Sequence, residues 1–196
     1  MKVERSYYLQ SNVVKLAEDM LGKILVTKIN GKLTSGIITE TEAYNGIIDK
    51  ASHAYGDRRT ARTETMYSKG GVSYVYLCYG IHNLFNIVTN VKDVPHAVLI
   101  RAIKPLSGEK VILERRNSKT LTKNLCVGPG KVTGALGITR DHNALDLGGK
   151  IVWLEDDNIK FKKKDVLVGP RIGVDYAGED AKLPYRFWVD PSTSSG

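Results

Sequence analysis

Several kinds of protein are excluded by what this sequence lacks. No stretch approaches the ~18 consecutive apolar residues of a spanning helix, and Met1-Lys2-Val3-Glu4-Arg5 opens without the apolar segment of a secretory leader. A membrane location is therefore not expected; a soluble, cytoplasmic protein is. Only two cysteines occur, Cys78 and Cys126, in unrelated contexts and without a CxxC, so they read as two thiols in a reducing compartment rather than as a disulfide framework. The four histidines, His53, His82, His96 and His142, share no ligand spacing with one another or with the cysteines, and no metal site or other cofactor is expected. No internal repeat and no composition shift marks a boundary, so residues 1–196 are expected to form one domain, with a frayed Ser/Thr/Gly tail after about residue 190.

Against these absences stands an excess of positive charge. Lys and Arg number 29 against 21 acids, a net +8 in 196 residues that suits a polyanionic partner. Charge alone does not distinguish a nucleic-acid binder from an ordinary basic protein.

The apolar spacing of Val13, Val14, Leu16, Ala17, Met20 and Leu21 predicts a first helix, capped by Ser11 and ended by Gly22. A strand over 23–29 and its partner over 32–44 flank Asn30-Gly31, a strong two-residue hairpin signal. From residue 45 to 69 the pattern gives way to a polar loop. Strands are predicted over 72–78, 83–89, 97–103, 150–155 and 166–174, and helices over 105–117 and 128–137, with Lys162-Lys163-Lys164 a solvated turn. The fold class is α+β, built on a mainly antiparallel curved sheet with surrounding helices and long loops.

Three segments carry candidate chemistry. Two-residue periodicity sends Ile38, Glu40, Glu42 and Tyr44 to one strand face, where burial would raise a carboxylate pKa for acid–base work; a solvated strand end would share the pattern. Tyr74 and Tyr76 alternate onto one face with Tyr79 at the strand end, a platform for unstacked bases or equally an aromatic core. Arg58, Arg59 and Arg62 fall within five positions, as a phosphate grip or a solubilising loop would. Gly128-Pro129-Gly130-Lys131-Val132 imitates a nucleotide phosphate loop, but Val132 stands where magnesium needs Ser or Thr, and the glycine spacing fails. Lys131 and the N–H groups of that helix remain candidates for a DNA phosphate.

In order and spacing, LAEDMLGKILV, GIITETEAYNG, DKASH, RRTAR, YVYLCYGIHNLFNIV, VLIRAIKPL, VGPGKV, RIGVDYAGE and PYRFWV resemble the alkyladenine (methylpurine) DNA glycosylase family from Leu16 to about Val189. The resemblance is to its compact, bacterial-type members. It implies a monofunctional enzyme that flips alkylated or deaminated purines from double-stranded DNA and leaves an abasic site. It implies Glu42 as the base that activates water, with Arg101 and the backbone carbonyl of Ile172 holding that water. Tyr44, His53 and Tyr76 correspond to the base pocket, Asn86 to the residue that discriminates against guanine, and Tyr79 to the side chain that enters the duplex. Arg58, Arg59, Arg62 and Lys131 would meet phosphates, and a monomer is expected. Ala61 and Thr63 depart from the family's commoner Pro and Asn, and the stretch from Val91 to His96 is slightly longer than usual. Two readings of other classes stay open. Glu40 and Glu42 could be the paired carboxylates of a carbohydrate hydrolase, or the arginines and tyrosines could serve a non-enzymatic DNA-binding module.

Overall fold

The computed structural model describes residues 1–190; the tail expected to fray lies outside them. The architecture is α+β. One antiparallel sheet runs in the order β3-β4-β5-β2-β1-β6, where β1 is Ile24–Ile29, β2 Lys32–Asn45, β3 Val72–Cys78, β4 His82–Thr89, β5 His96–Ser107 and β6 Val152–Glu155. Two three-residue strands, β7 (Leu167–Gly169) and β8 (Arg186–Trp188), join it through β8, which pairs with β2. The 14-residue β2 is the organising element. Its first half pairs with β1, and the same edge is then taken over by β8 along Glu40, Thr41 and Glu42. Its other edge is held throughout by β5.

Helix α1 (Val13–Asp19) packs Leu16 and Ala17 onto this sheet, and the hydroxyl of Thr41 donates to the carbonyl of Ala17 at 2.7 Å. Its cap is Asn12 rather than the expected Ser11: the Asn12 side chain accepts from the Lys15 N–H at 2.9 Å. The Asn30-Gly31 hairpin forms as expected, both residues at positive φ and Ile29 opposite Lys32.

The helix expected over 105–117 is shorter, because β5 continues through Pro105 to Ser107. Proline disfavours the helical region for the residue before it and carries the chain on as strand; α2 spans only Glu109–Arg115. Helix α3 (Pro129–Leu136) lies where expected, with proline at its start and Gly137 closing it at φ +75°. The strand expected over 166–174 stops at Gly169. The chain then leaves the sheet because Arg171 is buried and tied to Asp49.

The segment 45–69 is not a loose loop. It forms short 3-10 turns, and Ala54, Met66 and Tyr67 make a small second core with Tyr74, Val88 and Ala97. The main core lies between the sheet and the three α-helices, with Phe85, Ile87, Val98, Ile100, Ile112 and Val132 buried.

Candidate active site

The register of β2 against β5 slips twice in a short space. Ile38 faces Ile103, Glu40 faces Ala102 and Thr41 faces Ile100, so Thr39 and Arg101 are the extra residues of two opposed bulges. The first bulge breaks the expected alternation. Ile38 joins Ala43 in the core, while Glu40, Glu42 and Tyr44 turn to the other face. The second bulge gives Arg101 its place between the two glutamates. Its Nε lies 3.1 Å from Glu40 and its Nη1 3.4 Å from Glu42.

Glu42 is fully buried, yet three donors surround its carboxylate. The Ile172 N–H donates to Oε1 at 2.8 Å, the Tyr44 hydroxyl donates to Oε2 at 2.9 Å, and Arg101 supplies the charge. The amide of Ile172 thus meets this carboxylate directly. Burial raises the Glu42 pKa, and Arg101, the Ile172 amide and the Tyr44 hydroxyl only partly oppose it. Glu40 is committed elsewhere: it accepts from both Arg101 and Arg186, each at 3.1 Å.

Neighbouring groups hold these residues in turn. Arg171 forms a buried ion pair with Asp49, donates to the carbonyl of Ala43 at 2.9 Å and lies against the rings of Tyr44 and Tyr185. Asp49 also accepts from the N–H groups of Asn45 and Ala51. This pair clamps the segment carrying Ile172 to the end of β2. Neither Asp49–Arg171 nor Arg186 was singled out from the sequence, since partners 122 residues apart leave no local period.

In front of the glutamate opens a cleft of about 640 Å³ walled by Tyr44, His53, Tyr74, Tyr76, Asn86, Arg101 and Ile172. The rings of Tyr74 and Tyr76 lie 5.5 Å apart, and His53 meets Tyr76 edge-on at 4.7 Å. His53 Nδ1 lies 2.9 Å from the Tyr74 hydroxyl. Burial, with help from Arg62 and Arg58, drops its pKa to about 4, so the imidazole is neutral at physiological pH. Asn86 is buried and donates to the carbonyl of Tyr74 at 3.1 Å.

At the rim, Tyr79 and Gly80 turn the β3–β4 hairpin with both residues at positive φ, a strained choice for tyrosine that leaves its ring 87% exposed. Of the arginine cluster, Arg59 already pairs with Glu64 and Asp93, and Arg62 reaches into the cleft. Arg58 has no carboxylate partner among the described residues. Lys131 lines the rim and donates to the carbonyl of Asn124 at 3.2 Å. No described helix is long and apolar enough to cross a membrane, and no cluster of metal-ligating side chains occurs among the described residues.

A family model described as methylpurine-DNA glycosylase matches residues 7–193. The chain belongs to that family. Among its relatives is one from Chlamydia felis, 49% identical over 186 residues, 94% of each chain. Another, from Chlamydia pneumoniae, is 42% identical over 193 residues, 98% of this chain and 97% of its own. A third, from Clostridium acetobutylicum, is 41% identical over 196 residues, 96% of this chain and 94% of its own. All three carry the name "Putative 3-methyladenine DNA glycosylase". By family, then, the chain is a DNA glycosylase, a hydrolase of N-glycosidic bonds.

Proposed function

We propose that the chain excises alkylated or deaminated purines from duplex DNA, taking the flipped nucleotide into the tyrosine-walled cleft and hydrolysing its glycosidic bond with water activated by Glu42. The observation that carries this reading is a fully buried carboxylate, ringed by donors, behind an aromatic cleft. A base on a buried strand of the duplex is out of reach, so the nucleotide must leave the stack, at a cost of a few kcal/mol. Tyr79, exposed at its hairpin tip and free of packing, is the side chain we assign to the vacated position.

Tyr44 and Tyr76 then stack the base and His53 meets its edge. Asn86, fixed through its bond to Tyr74, leaves no room for the 2-amino group of guanine. Breaking the bond builds positive charge on the sugar, which the Glu42 carboxylate stabilises while taking a proton from water. Arg101, held by Glu40, favours the ionised carboxylate against the effect of burial and orients it. Arg58 and Lys131 at the rim are the cations we assign to phosphates. The paired-carboxylate chemistry of a carbohydrate hydrolase fits less well, because Glu40 is taken up by two arginines.

The test is incubation with duplexes carrying a single methyladenine, hypoxanthine or ethenoadenine, followed by alkali to cleave abasic sites. Strand cleavage by the wild type and none by Glu42→Gln is expected. Release of no base by the wild type on any of the three would refute the reading.

A further inference from the structure

Arg62 is the arginine of the loop cluster that reaches the cleft. Its guanidinium lies over the Tyr76 ring, 5.1 Å from the centroid, and one of its terminal nitrogens lies 3.4 Å from His53 Nε2. No carboxylate pairs with it among the described residues, whereas Arg59, three positions earlier, is held by two. Nor can the acids behind the cleft compensate it, since Glu40 and Glu42 are already matched by Arg101 and Arg186. A guanidinium only donates hydrogen bonds. His53 Nε2 must therefore be the acceptor, and its Nδ1–H donates to the Tyr74 hydroxyl. A second proton on His53 would bring two positive charges together, in keeping with its lowered pKa.

We propose that Arg62 is a specificity-determining residue of the base pocket, whose uncompensated charge disfavours cationic purines relative to neutral ones. The inference rests on the glycosylase reading. A base entering against Tyr76 comes within about 5 Å of this guanidinium, whether it displaces the arginine slightly or stacks beside it. N-alkylated adenines such as 3-methyladenine enter as cations and meet repulsion; hypoxanthine and ethenoadenine enter neutral and do not. For an exposed side chain the repulsion is screened, and a three- to tenfold bias is the order of magnitude expected. The same charge holds His53 as an acceptor, so a neutral base that presents an N–H to Nε2 gains where a cation loses.

The test uses the whole 196-residue chain, with Arg62→Gln and Arg62→Lys, on two duplexes of the same sequence carrying 3-methyladenine or hypoxanthine. Single-turnover rate divided by half-saturating enzyme concentration is measured for each. Arg62→Gln should raise the ratio of cationic to neutral excision by about three- to tenfold, and Arg62→Lys should keep it within twofold of wild type. A ratio unchanged in Arg62→Gln would overturn the proposal. So would an equal loss on both duplexes, which is what a lost phosphate contact produces. If the wild type releases neither base, the glycosylase reading itself falls, and this inference falls with it.

Discussion

The carboxylate of Glu42 faces three donors, and only one of them can reverse. The Ile172 amide and Arg101 must donate, but the Tyr44 hydroxyl can accept as well. A glutamine at position 42 therefore fits without rearrangement: its oxygen takes the Ile172 N–H and its nitrogen donates to Tyr44. Catalysis should fall by about 10²–10⁴-fold for loss of the base. Stability should move the other way. Burial raises the Glu42 pKa above its ordinary 4.5, so the folded chain binds that proton more tightly than the unfolded chain. Above about pH 4.5 folding thus carries a cost for ionising Glu42, absent at lower pH and level once the folded-state pKa is passed. Glutamine never carries it. A gain of ~1 kcal/mol is the usual size for relieving a functional site, worth about 2–4 °C in Tm at this chain length. Glu42→Ala is the contrast: it strands the Ile172 N–H and the Tyr44 hydroxyl, at ~1–3 kcal/mol each, and even after the same ~1 kcal/mol relief should lower Tm by roughly 2–20 °C. Melting of wild type and both variants from pH 4 to pH 8 reads all of this. The Glu42→Gln advantage should grow with pH above about 4.5; an advantage independent of pH, or a variant less stable than wild type at pH 7, would refute the argument.

Further outcomes follow from the same geometry. Glu40→Gln loosens Arg101 and Arg186 without touching Glu42, and should cost about tenfold in single-turnover rate with lesion affinity unchanged; a loss as large as that of Glu42→Gln would make Glu40 a direct participant. Arg171→Met leaves Asp49 buried and unpaired, and should destabilise by about 3–5 kcal/mol in denaturant titration; a change below ~1 kcal/mol would show the clamp to be dispensable. Tyr79→Ala should leave Tm unchanged, because the ring is exposed, and should slow excision more from stably paired lesions than from mismatched ones. For a cationic lesion the single-turnover rate should fall as the pH drops through the pKa of Glu42, with that limb above 4.5 and missing from the residual activity of Glu42→Gln.

Most of the sheet was legible because its signals are local. Asn30-Gly31 set one hairpin, and the apolar runs on either side of Tyr79 are long enough to read as strands. What escaped was decided by distant partners. The strand expected to Val174 ends at Gly169 because Arg171 is claimed by Asp49, and β8 is three residues held between β7 and the free edge of β2 beyond Ile37. The supposed loop of 45–69 hid a core because Ala54, Met66 and Tyr67 are too widely spaced to show a period. Pro105 read as a helix start, when its effect on Lys104 extends the strand instead.

At the site, residue types were legible and their arrangement was not. Strict alternation put Ile38 with the glutamates; the bulge at Thr39 sends it to the core and leaves Glu40 on the face of Glu42 and Tyr44. The paired slip at Arg101 matters more. Without it, the residue facing the space between Glu40 and Glu42 would be an apolar neighbour from β5, and a fully buried carboxylate would have no counter-charge. Such a carboxylate would be held protonated by desolvation and could not take a proton from water. The two bulges act together: they put a glutamate in full burial, and an arginine close enough to oppose in part the rise in its pKa that burial causes. Each residue inserted there weakens the ladder between β2 and β5, whose remaining pairs run unbroken from Thr41 to Asn45. Removing one inserted residue should accordingly give a better-paired sheet and an inactive site. Local pattern rules fail where the chain gives up ladder bonds for chemistry, and the failure at Thr39 and Arg101 marks the same residues that the buried glutamate needs.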